Sequence, residues 1–294
     1  MDSNFKQKWE EYRSEFENVL ADYLERMQIR PPVLNDSFRY SLELGGKRFR
    51  PVLMFACARS LGGKPGDVAG FALALEMLHT YSLIHDDLPA MDNDDFRRGK
   101  PSNHKGFGEG QAILAGDALL NEAYSVCFEE CRKGKTYLNA AAEICKNAGV
   151  GGMIAGQAAD LFFEQKEAGK AEEDFIILHK TAKMIVSAAV VPALVYGADE
   201  NIAALFAEFG KHLGILFQLT DDILDVTGDF EKLGKTLGKD ASEGKLTSVR
   251  VCGLDKCKEL AEQHRNICRQ ILDDLPYDCS FLSELTDYVL TRDA

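Results

Sequence analysis

The sequence predicts an all-α protein, and two observations support that prediction. Apolar residues recur at helical spacing along nearly the whole chain, and no segment alternates apolar and polar residues convincingly. Glycine and proline, which end helices, stand at the boundaries of several of these periodic segments. Because no linker, low-complexity segment or fixed-period repeat divides the chain, we expect one domain over residues 1–294.

Each helix is predicted from its apolar face and from the residues that end it. The first is amphipathic and stops at Pro31-Pro32, because proline does not continue a helix. Glycine pairs end the second and third helices, and the fourth is apolar almost all round, which predicts a central position. The predicted helices cover residues 5–28, 36–44, 51–61, 66–88, 109–131, 137–148, 150–165, 172–188, 190–196, 201–227, 240–253, 255–272 and 280–291.

Composition excludes several classes of function. The chain has 46% hydrophobic residues and a formal net charge of -13, which argues against nucleic acid or an anionic membrane surface as the main partner. The eight cysteines form no C-x-x-C pair, so we expect reduced thiols in a cytoplasmic protein. The N-terminal residues lack the apolar core of a signal peptide, and no stretch is expected to span a membrane.

Two aspartate clusters, at residues 85–98 and 221–225, each end a long apolar segment. A carboxylate set against an apolar segment loses hydration energy unless a cation meets it. One such cluster is also explained as solvated surface or a helix N-cap, whereas two facing one cavity are what a magnesium-bound polyphosphate requires. Pro89 should end the fourth helix near Leu88, so that the chain folds back and brings Asp92 toward Asp86.

A polar stripe leads to each cluster. His79 and Asp86 fall on one face of the fourth helix, and Gln218, Asp221 and Asp225 share a face of a later helix. We therefore expect two buried helices that turn polar groups toward a cavity, apolar in depth and charged at its rim. His79 by itself is also explained as a core histidine with satisfied hydrogen bonds.

Basic residues stand close to these carboxylates in the sequence. The segment 45–51, GGKRFRP, places three cations behind a flexible helix end, and Arg97-Arg98 directly follow the first acidic cluster. Arginine offers a planar fork for phosphate oxygens. A solvated basic turn also explains the first segment, whereas the pair at 97–98 can counter the carboxylates or hold a phosphate beside them.

From Gly45 to about Leu254 the sequence resembles the trans-prenyl diphosphate synthases, and within them the bacterial short-chain enzymes of the farnesyl diphosphate synthase type. The matching motifs are GGKRFRP (45–51), LIHDDLPAMDNDDFRRGKP (83–101), AGDAL (115–119), GQAAD (156–160), HKT (179–181), FQLTDDILD (217–225) and LGKD (237–240). The resemblance implies a helical bundle of the isoprenoid synthase type around a deep central cavity. It also implies a homodimer and three magnesium ions, for which manganese can substitute.

The resemblance further implies a role for each matching residue. The implied magnesium ligands are Asp86, Asp92 and Asp221, supported by Asp87, Asp222 and Asp225. The residues implied for the allylic diphosphate are Arg97, Lys180, Lys235 and Lys245, with Thr181 and Gln218 near the developing cation. Those implied for isopentenyl diphosphate are Gly46, Lys47, Arg50, His79 and Arg98. The implied catalytic set is Asp86, Asp92, Lys180, Thr181, Gln218 and Asp221.

In this family the residues four and five before the first aspartate help set product length. These are Ser82 and Tyr81 here, and Pro89-Ala90 are the two extra residues of the first motif. An aromatic side chain at this place implies a fifteen-carbon stop. The resemblance therefore implies farnesyl diphosphate synthesis from isopentenyl diphosphate and dimethylallyl or geranyl diphosphate, with geranylgeranyl diphosphate synthase as the alternative.

Two further functions are alternatives to prenyl transfer. A terpene cyclase typically mixes Asn, Ser or Thr with Glu in its second motif, unlike DDILD at 221–225. A non-catalytic subunit of a heteromeric synthase usually has eroded aspartate motifs, and both are intact here. The chain departs from the family at Ala155, Ala182 and Ser248, and it offers only Arg292 where a basic tail often closes over isopentenyl diphosphate.

Overall fold

The computed structural model describes residues 3–228 and 244–292 and confirms the all-α prediction. The α-helices are α1 Ser3–Arg26, α2 Pro32–Glu43, α3 Phe49–Ser60, α4 Pro65–Asp86, α5 Asn103–Phe107, α6 Glu109–Cys131, α7 Lys135–Ala148, α8 Met153–Phe163, α9 Lys170–Ile176, α10 Lys183–Val195, α11 Glu200–Thr227, α12 Ser248–Cys252, α13 Leu254–Asp273 and α14 Ser280–Thr291. A π-helix, Ile177–Ala182, joins α9 to α10.

Two long helices, α4 and α11, form the centre of the bundle. α4 packs against α3, α6 and α10, and α11 packs between α10 and α13. Phe71 and Leu75 of α4 and Phe206 and Phe209 of α11 are fully buried. This arrangement confirms the central position that was predicted for the fourth helix. The two aspartate clusters stand at the C-terminal ends of these two central helices.

Most helix boundaries agree with the prediction, and the differences have physical causes. α2 begins at Pro32 instead of residue 36, because proline is favoured in the first turn of a helix. The spans predicted at 172–188 and 190–196 form one continuous run, α9 to α10, with Pro192 inside its last turn. The predicted span 240–253 lies partly outside the described residues, and its described part contains α12.

A two-residue antiparallel hairpin was not predicted. It pairs β1 (Phe96–Arg97) with β2 (Lys100–Pro101). Its turn residues Arg98 and Gly99 both have positive φ, 54° and 73°, as a type I′ turn requires. Asparagine or aspartate normally precedes the glycine in such turns, so Arg-Gly gives a weak sequence signal.

Two helical runs, Lys170–Val195 and Glu200–Thr227, are long and apolar enough to cross a membrane. The expectation that no stretch approaches a membrane span is therefore wrong as far as length and composition go. In the first run 72% of the apolar window is buried inside the protein, and in the second 39% is buried. Helices that are buried in a protein core have the same composition as membrane helices, which accounts for the discrepancy in the first run.

Candidate active site

The first carboxylate cluster lies at the C-terminal end of α4. After Pro89 the chain folds back, and the Asp92 amide donates a hydrogen bond to the Asp86 carbonyl oxygen at 2.8 Å. The Asp94 amide donates to the Asp87 carbonyl oxygen at 3.1 Å. The predicted reversal is therefore present, and it brings Asp92 next to the end of the helix that carries Asp86 and Asp87.

Asp86 is held by groups from α8 and the π-helix. Lys180 Nζ lies 3.8 Å from Asp86 Oδ2 and 2.6 Å from Asp160 Oδ2. Gln157 Nε2 donates to Asp86 Oδ1. Desolvation raises the pKa of Asp86, although the nearby Lys180 acts in the opposite direction. Further positive charge beside Asp86 would favour its ionised form. Gln157 and Asp160 belong to the motif at 156–160, but sequence analysis assigned neither a role.

Asp87 and Asp92 each pair with a predicted substrate-binding cation. Arg97 Nε donates to the two carboxylate oxygens of Asp87 at 3.0 and 3.3 Å. Lys245 Nζ lies 2.5 Å from Asp92 Oδ2, although the two residues are 153 positions apart in the sequence. Arg97 and Lys245, two of the cations predicted to hold the allylic diphosphate, therefore lie directly beside predicted metal ligands.

The second carboxylate cluster occupies the last turns of α11. Asp222 is buried and accepts hydrogen bonds from Gln218 Nε2 at 2.8 Å and from the Ser248 amide at 2.7 Å. Desolvation raises the pKa of Asp222 to about 7. Asp221 and Asp225 lie one helical turn apart and are more exposed than Asp222.

Arg292 binds the second cluster from the C-terminal end of the chain. Its Nη2 lies 2.7 Å from Asp221 Oδ1 and donates to the Phe217 carbonyl oxygen at 2.9 Å. The guanidinium carbon lies 3.9 Å from the centre of the Phe217 ring. Sequence analysis could not pair Arg292 with Asp221, because the contact depends on how α14 packs against α11.

Two short segments link the two clusters, the first through Gln218, which donates to Asp222, and the second directly. On the π-helix, Lys180 reaches Asp86, while the next residue, Thr181, donates from its hydroxyl to Gln218 Oε1 at 2.7 Å. Before α12, Lys245 reaches Asp92, and the Ser248 amide reaches the second cluster at Asp222. The two clusters therefore face the same space, and π-helical turns are frequently found at functional sites.

Three of the residues predicted for isopentenyl diphosphate lie close enough for their charges to interact. We call these residues the basic wall: Arg50, His79 and Arg98. Arg50 is 9% exposed, and its buried Nε has no hydrogen-bond partner among the described residues. Desolvation lowers the pKa of Arg50 and of His79, and the charges of Arg50 and Arg98 add to the effect on His79. A buried cation with an unpaired donor, as Arg50 is, is well suited to bind an anion such as diphosphate.

Backbone geometry places Arg98 against the glycine pair. Arg98 Nη1 donates to the Gly45 carbonyl oxygen, and a Cβ at Gly46 would lie 2.7 Å from the Arg98 guanidinium carbon. A side chain at Gly46 would displace the Arg98 guanidinium, and φ of +121° at Gly46 favours glycine independently. Lys47 is exposed in the same loop.

Two of the residues that depart from the family motifs, Ala182 and Ser248, have defined contacts with neighbouring helices. A Cβ at Gly214 would lie 2.5 Å from the Ala182 Cα, so glycine in α11 makes room for the π-helix at Ala182. A Cβ at Gly156 would lie 2.0 Å from the Lys180 amide nitrogen, so this glycine lets α8 approach closely. Ser248 donates from its hydroxyl to Glu173.

Tyr81 lies on α4 five residues before Asp86 and is 6% exposed. Its ring meets the His85 ring edge-on, with centroids 5.8 Å apart. His85 in turn lies 3.1 Å from the Ile113 carbonyl oxygen of α6, which places Tyr81 on the side of α4 that faces α6. Ser82 is half-buried and donates to the His79 carbonyl oxygen at 2.8 Å.

The predicted metal ligands do not form a closed cage. Within residues 3–228 and 244–292, no three His, Cys, Asp or Glu side chains are arranged to hold a metal ion. Magnesium usually takes one or two carboxylates and completes its shell with water and phosphate oxygens, so the two separated aspartate clusters fit it. Lys235 and the motif at 237–240 lie outside the described residues.

Comparison with known proteins identifies the family. The sequence profile of the polyprenyl synthetases matches residues 31–276. Farnesyl diphosphate synthase of Geobacillus stearothermophilus is 43% identical over 286 residues, which cover 96% of each chain. The heterodimeric geranylgeranyl pyrophosphate synthase large subunit 1, chloroplastic, of Arabidopsis thaliana is 44% identical over 90% of this chain and 74% of that protein.

Solved structures agree with the sequence comparisons. A geranyltransferase from Helicobacter pylori, complexed with magnesium and isoprenyl diphosphate, matches with a TM-score of 0.83 at 32% identity. The match covers 98% of this chain and 95% of that one. The fold is therefore the all-α isoprenoid synthase fold, and the chain belongs to the polyprenyl synthetase family of trans-prenyltransferases.

Proposed function

We propose that this protein condenses isopentenyl diphosphate with dimethylallyl or geranyl diphosphate and releases farnesyl diphosphate. The observation that carries the proposal is the pair of intact aspartate clusters, bridged by Lys180-Thr181 and by the segment 245–248. The similarity to the Geobacillus farnesyl diphosphate synthase and the aromatic ring of Tyr81 support a fifteen-carbon product. Geranylgeranyl diphosphate synthesis is the second candidate, because relatives of that name match almost as well.

The aspartates prepare the allylic diphosphate for departure. We assign Asp86, Asp92 and Asp221 as ligands of three magnesium ions, with Asp87, Asp222 and Asp225 in support and manganese as a substitute. Held by these carboxylates, magnesium would supply positive charge against the diphosphate as the allylic C–O bond breaks. Electrostatic stabilisation of the departing group is then the main contribution to the rate.

Side chains on the opposite walls position the two substrates. Arg97, Lys180 and Lys245 hold the allylic diphosphate, and the Thr181 carbonyl and Gln218 side chain lie near the allylic cation. Lys47, Arg50, His79 and Arg98 hold isopentenyl diphosphate, with Gly46 allowing the close approach of Arg98. The isopentenyl double bond attacks the allylic cation, and loss of a proton leaves a chain longer by one isoprene unit. An apolar cavity excludes water that would otherwise capture the cation.

Incubation of the purified protein with labelled isopentenyl diphosphate and each allylic starter tests the proposal directly. We expect magnesium-dependent formation of farnesyl diphosphate from both dimethylallyl and geranyl diphosphate, identified by chromatography of the products. A mainly twenty-carbon product would favour geranylgeranyl diphosphate synthase. No product with any starter would rule out prenyl transfer by this chain alone and favour a subunit of a heteromeric synthase.

The division of the basic residues between two substrates makes a kinetic prediction. Arg50→Ala should raise the apparent KM for isopentenyl diphosphate, and Lys180→Ala that for the allylic diphosphate, each by about tenfold, because each removes a charged hydrogen-bond donor. Steady-state kinetics with each substrate varied in turn measures both values. Lys256→Ala, which removes an exposed lysine paired with Glu259, is the control. If both active-site variants changed the KM of the same substrate alone, the division would be wrong.

Product length makes a second prediction, for Tyr81. Tyr81→Ala should open space between α4 and α6 and shift the main product from fifteen to twenty carbons or more, because packed interiors accept extra methylene groups poorly. Chromatography of the extracted diphosphates measures the shift. Tyr137→Ala removes an equal ring, stacked on Phe71 at 5.9 Å, and should leave chain length unchanged. An active Tyr81→Ala enzyme with unaltered products would show that Tyr81 is not the stop.

We also propose that the 294 residues form one domain and that the protein is a cytoplasmic homodimer. α6 supports the dimer, because Ile113, Leu114 and Phe128 are 44%, 52% and 73% exposed on the same side of the helix, with Phe128 about four turns beyond Leu114. Phe128→Glu should weaken the dimer, which light scattering at several concentrations measures. If the purified protein were monomeric throughout, the dimer proposal would fail.

A further inference from the structure

Two thiols lie side by side where α12 meets α13. Cys252 Sγ and Cys257 Sγ are 3.5 Å apart. The chain turns between them at Gly253, whose φ is +82°. Cys252 is half-buried and can be reached from solvent, whereas Cys257 is fully buried. A disulfide requires the sulfurs to approach to about 2.05 Å, so a movement of roughly 1.5 Å would close one here.

The thiol pair is connected to the aspartate site through α12. The Cys252 thiol donates to the Ser248 carbonyl oxygen at 3.2 Å. The Ser248 amide donates to Asp222 Oδ2 at 2.7 Å, and its hydroxyl donates to Glu173. Because α12 has only five residues, few internal hydrogen bonds resist its displacement. A shift of Cys252 toward Cys257 would therefore be transmitted to Ser248 and Asp222.

We propose that Cys252 and Cys257 form a reversible disulfide that lowers prenyl transfer under oxidising conditions. The Cys252 thiolate attacks one sulfur of a low-molecular-weight disulfide, which releases one thiol and leaves a mixed disulfide on Cys252. Cys257 then loses its proton and attacks the Cys252 sulfur, which releases the second thiol. The protein dithiol is oxidised, and one small disulfide is reduced to two thiols.

The environment of each sulfur agrees with this order of steps. Burial and the hydrogen bond with Cys252 raise the pKa of Cys257 to about 12, so Cys257 is a poor first nucleophile. Once Cys252 carries the mixed disulfide, the close approach of Cys257 favours the second attack over escape. The effect on activity rests on the proposed prenyl transfer, whereas formation of the disulfide does not.

Oxidised glutathione is the probe, and trypsin offers a direct assay of the product. Cleavage after Arg250, Lys256 and Lys258 leaves Cys252 in the peptide 251–256 and Cys257 in the peptide 257–258. Mass spectrometry should find these two peptides linked after oxidation and separate after treatment with dithiothreitol. The oxidised protein should lose about tenfold in kcat, as expected when a hydrogen bond to a charged group is lost, and dithiothreitol should restore it.

Cys252→Ser should keep full activity when reduced and become insensitive to oxidised glutathione. Cys145→Ser, which removes an exposed thiol of α7, should remain as sensitive as the unaltered protein. Circular dichroism shows whether both variants are folded. Absence of linked peptides, or a linked protein with unchanged kcat, would overturn the proposal. If the reduced protein shows no prenyl transfer at all, the proposed function fails separately, while the peptide assay still decides whether the disulfide forms.

Discussion

Asp86→Ala and Asp221→Ala should each lower kcat for prenyl transfer by about a hundredfold to a thousandfold. Each substitution removes an oxygen ligand that positions the metal against the leaving diphosphate, and the effect is expressed mainly in the transition state. Steady-state assays with saturating magnesium and both substrates measure the loss. Asp22→Ala removes an exposed aspartate of α1 and should leave kcat unchanged.

The structure predicts that both variants stay folded. Without Asp86, Lys180 keeps its contact with Asp160 at 2.6 Å, and without Asp221, Arg292 keeps the Phe217 carbonyl and ring. Circular dichroism can confirm this before the assays. Removal of divalent metal with a chelator should abolish turnover, and added magnesium should restore it. Nearly normal turnover by a folded variant, or by the metal-free protein, would refute the assignment of these ligands.

The parts of the site that depend on local geometry could be predicted from the sequence. Pro89 ends α4 wherever α4 lies in the fold, so the return of Asp92 to Asp86 follows from a few neighbouring residues. Contacts across the chain could not be predicted in the same way. Lys245 meets Asp92, and Arg292 meets Asp221, only because helices distant in sequence pack together.

Backbone conformation also limited the prediction. The residues from 172 to 196 were predicted as two helices that separate at 189, whereas α9, the π-helix and α10 form one continuous run with Pro192 in the last turn of α10. The hairpin turn at 98–99 places Arg98 at positive φ, which arginine rarely adopts. No residue pattern indicates this conformation, yet it directs the guanidinium of Arg98 toward Gly45 and Gly46.

A buried ion-pair network behind the basic wall supports the largest prediction for stability. Arg48 adjoins Lys47 in the loop before α3, and its side chain is fully buried. Its Nη1 lies 2.9 Å from Glu76 Oε1, its Nε lies 2.8 Å from Glu17 Oε1, and its Nη2 donates to the Leu42 carbonyl oxygen at 2.6 Å. The Glu76 side chain is only 2% exposed, so solvent cannot replace Arg48 as its partner.

Arg48→Met should therefore lower the free energy of unfolding by about 3–5 kcal/mol, because it leaves the Glu76 carboxylate buried without its cation. Urea denaturation followed by circular dichroism measures the change. Arg13→Met breaks an exposed pair with Glu10 and should cost no more than about 1 kcal/mol. Adding Glu76→Gln to Arg48→Met should recover part of the loss, because the unpaired buried charge is then removed. If Arg48→Met were as stable as Arg13→Met, the buried pair of Arg48 with Glu76 would not stabilise the fold as expected.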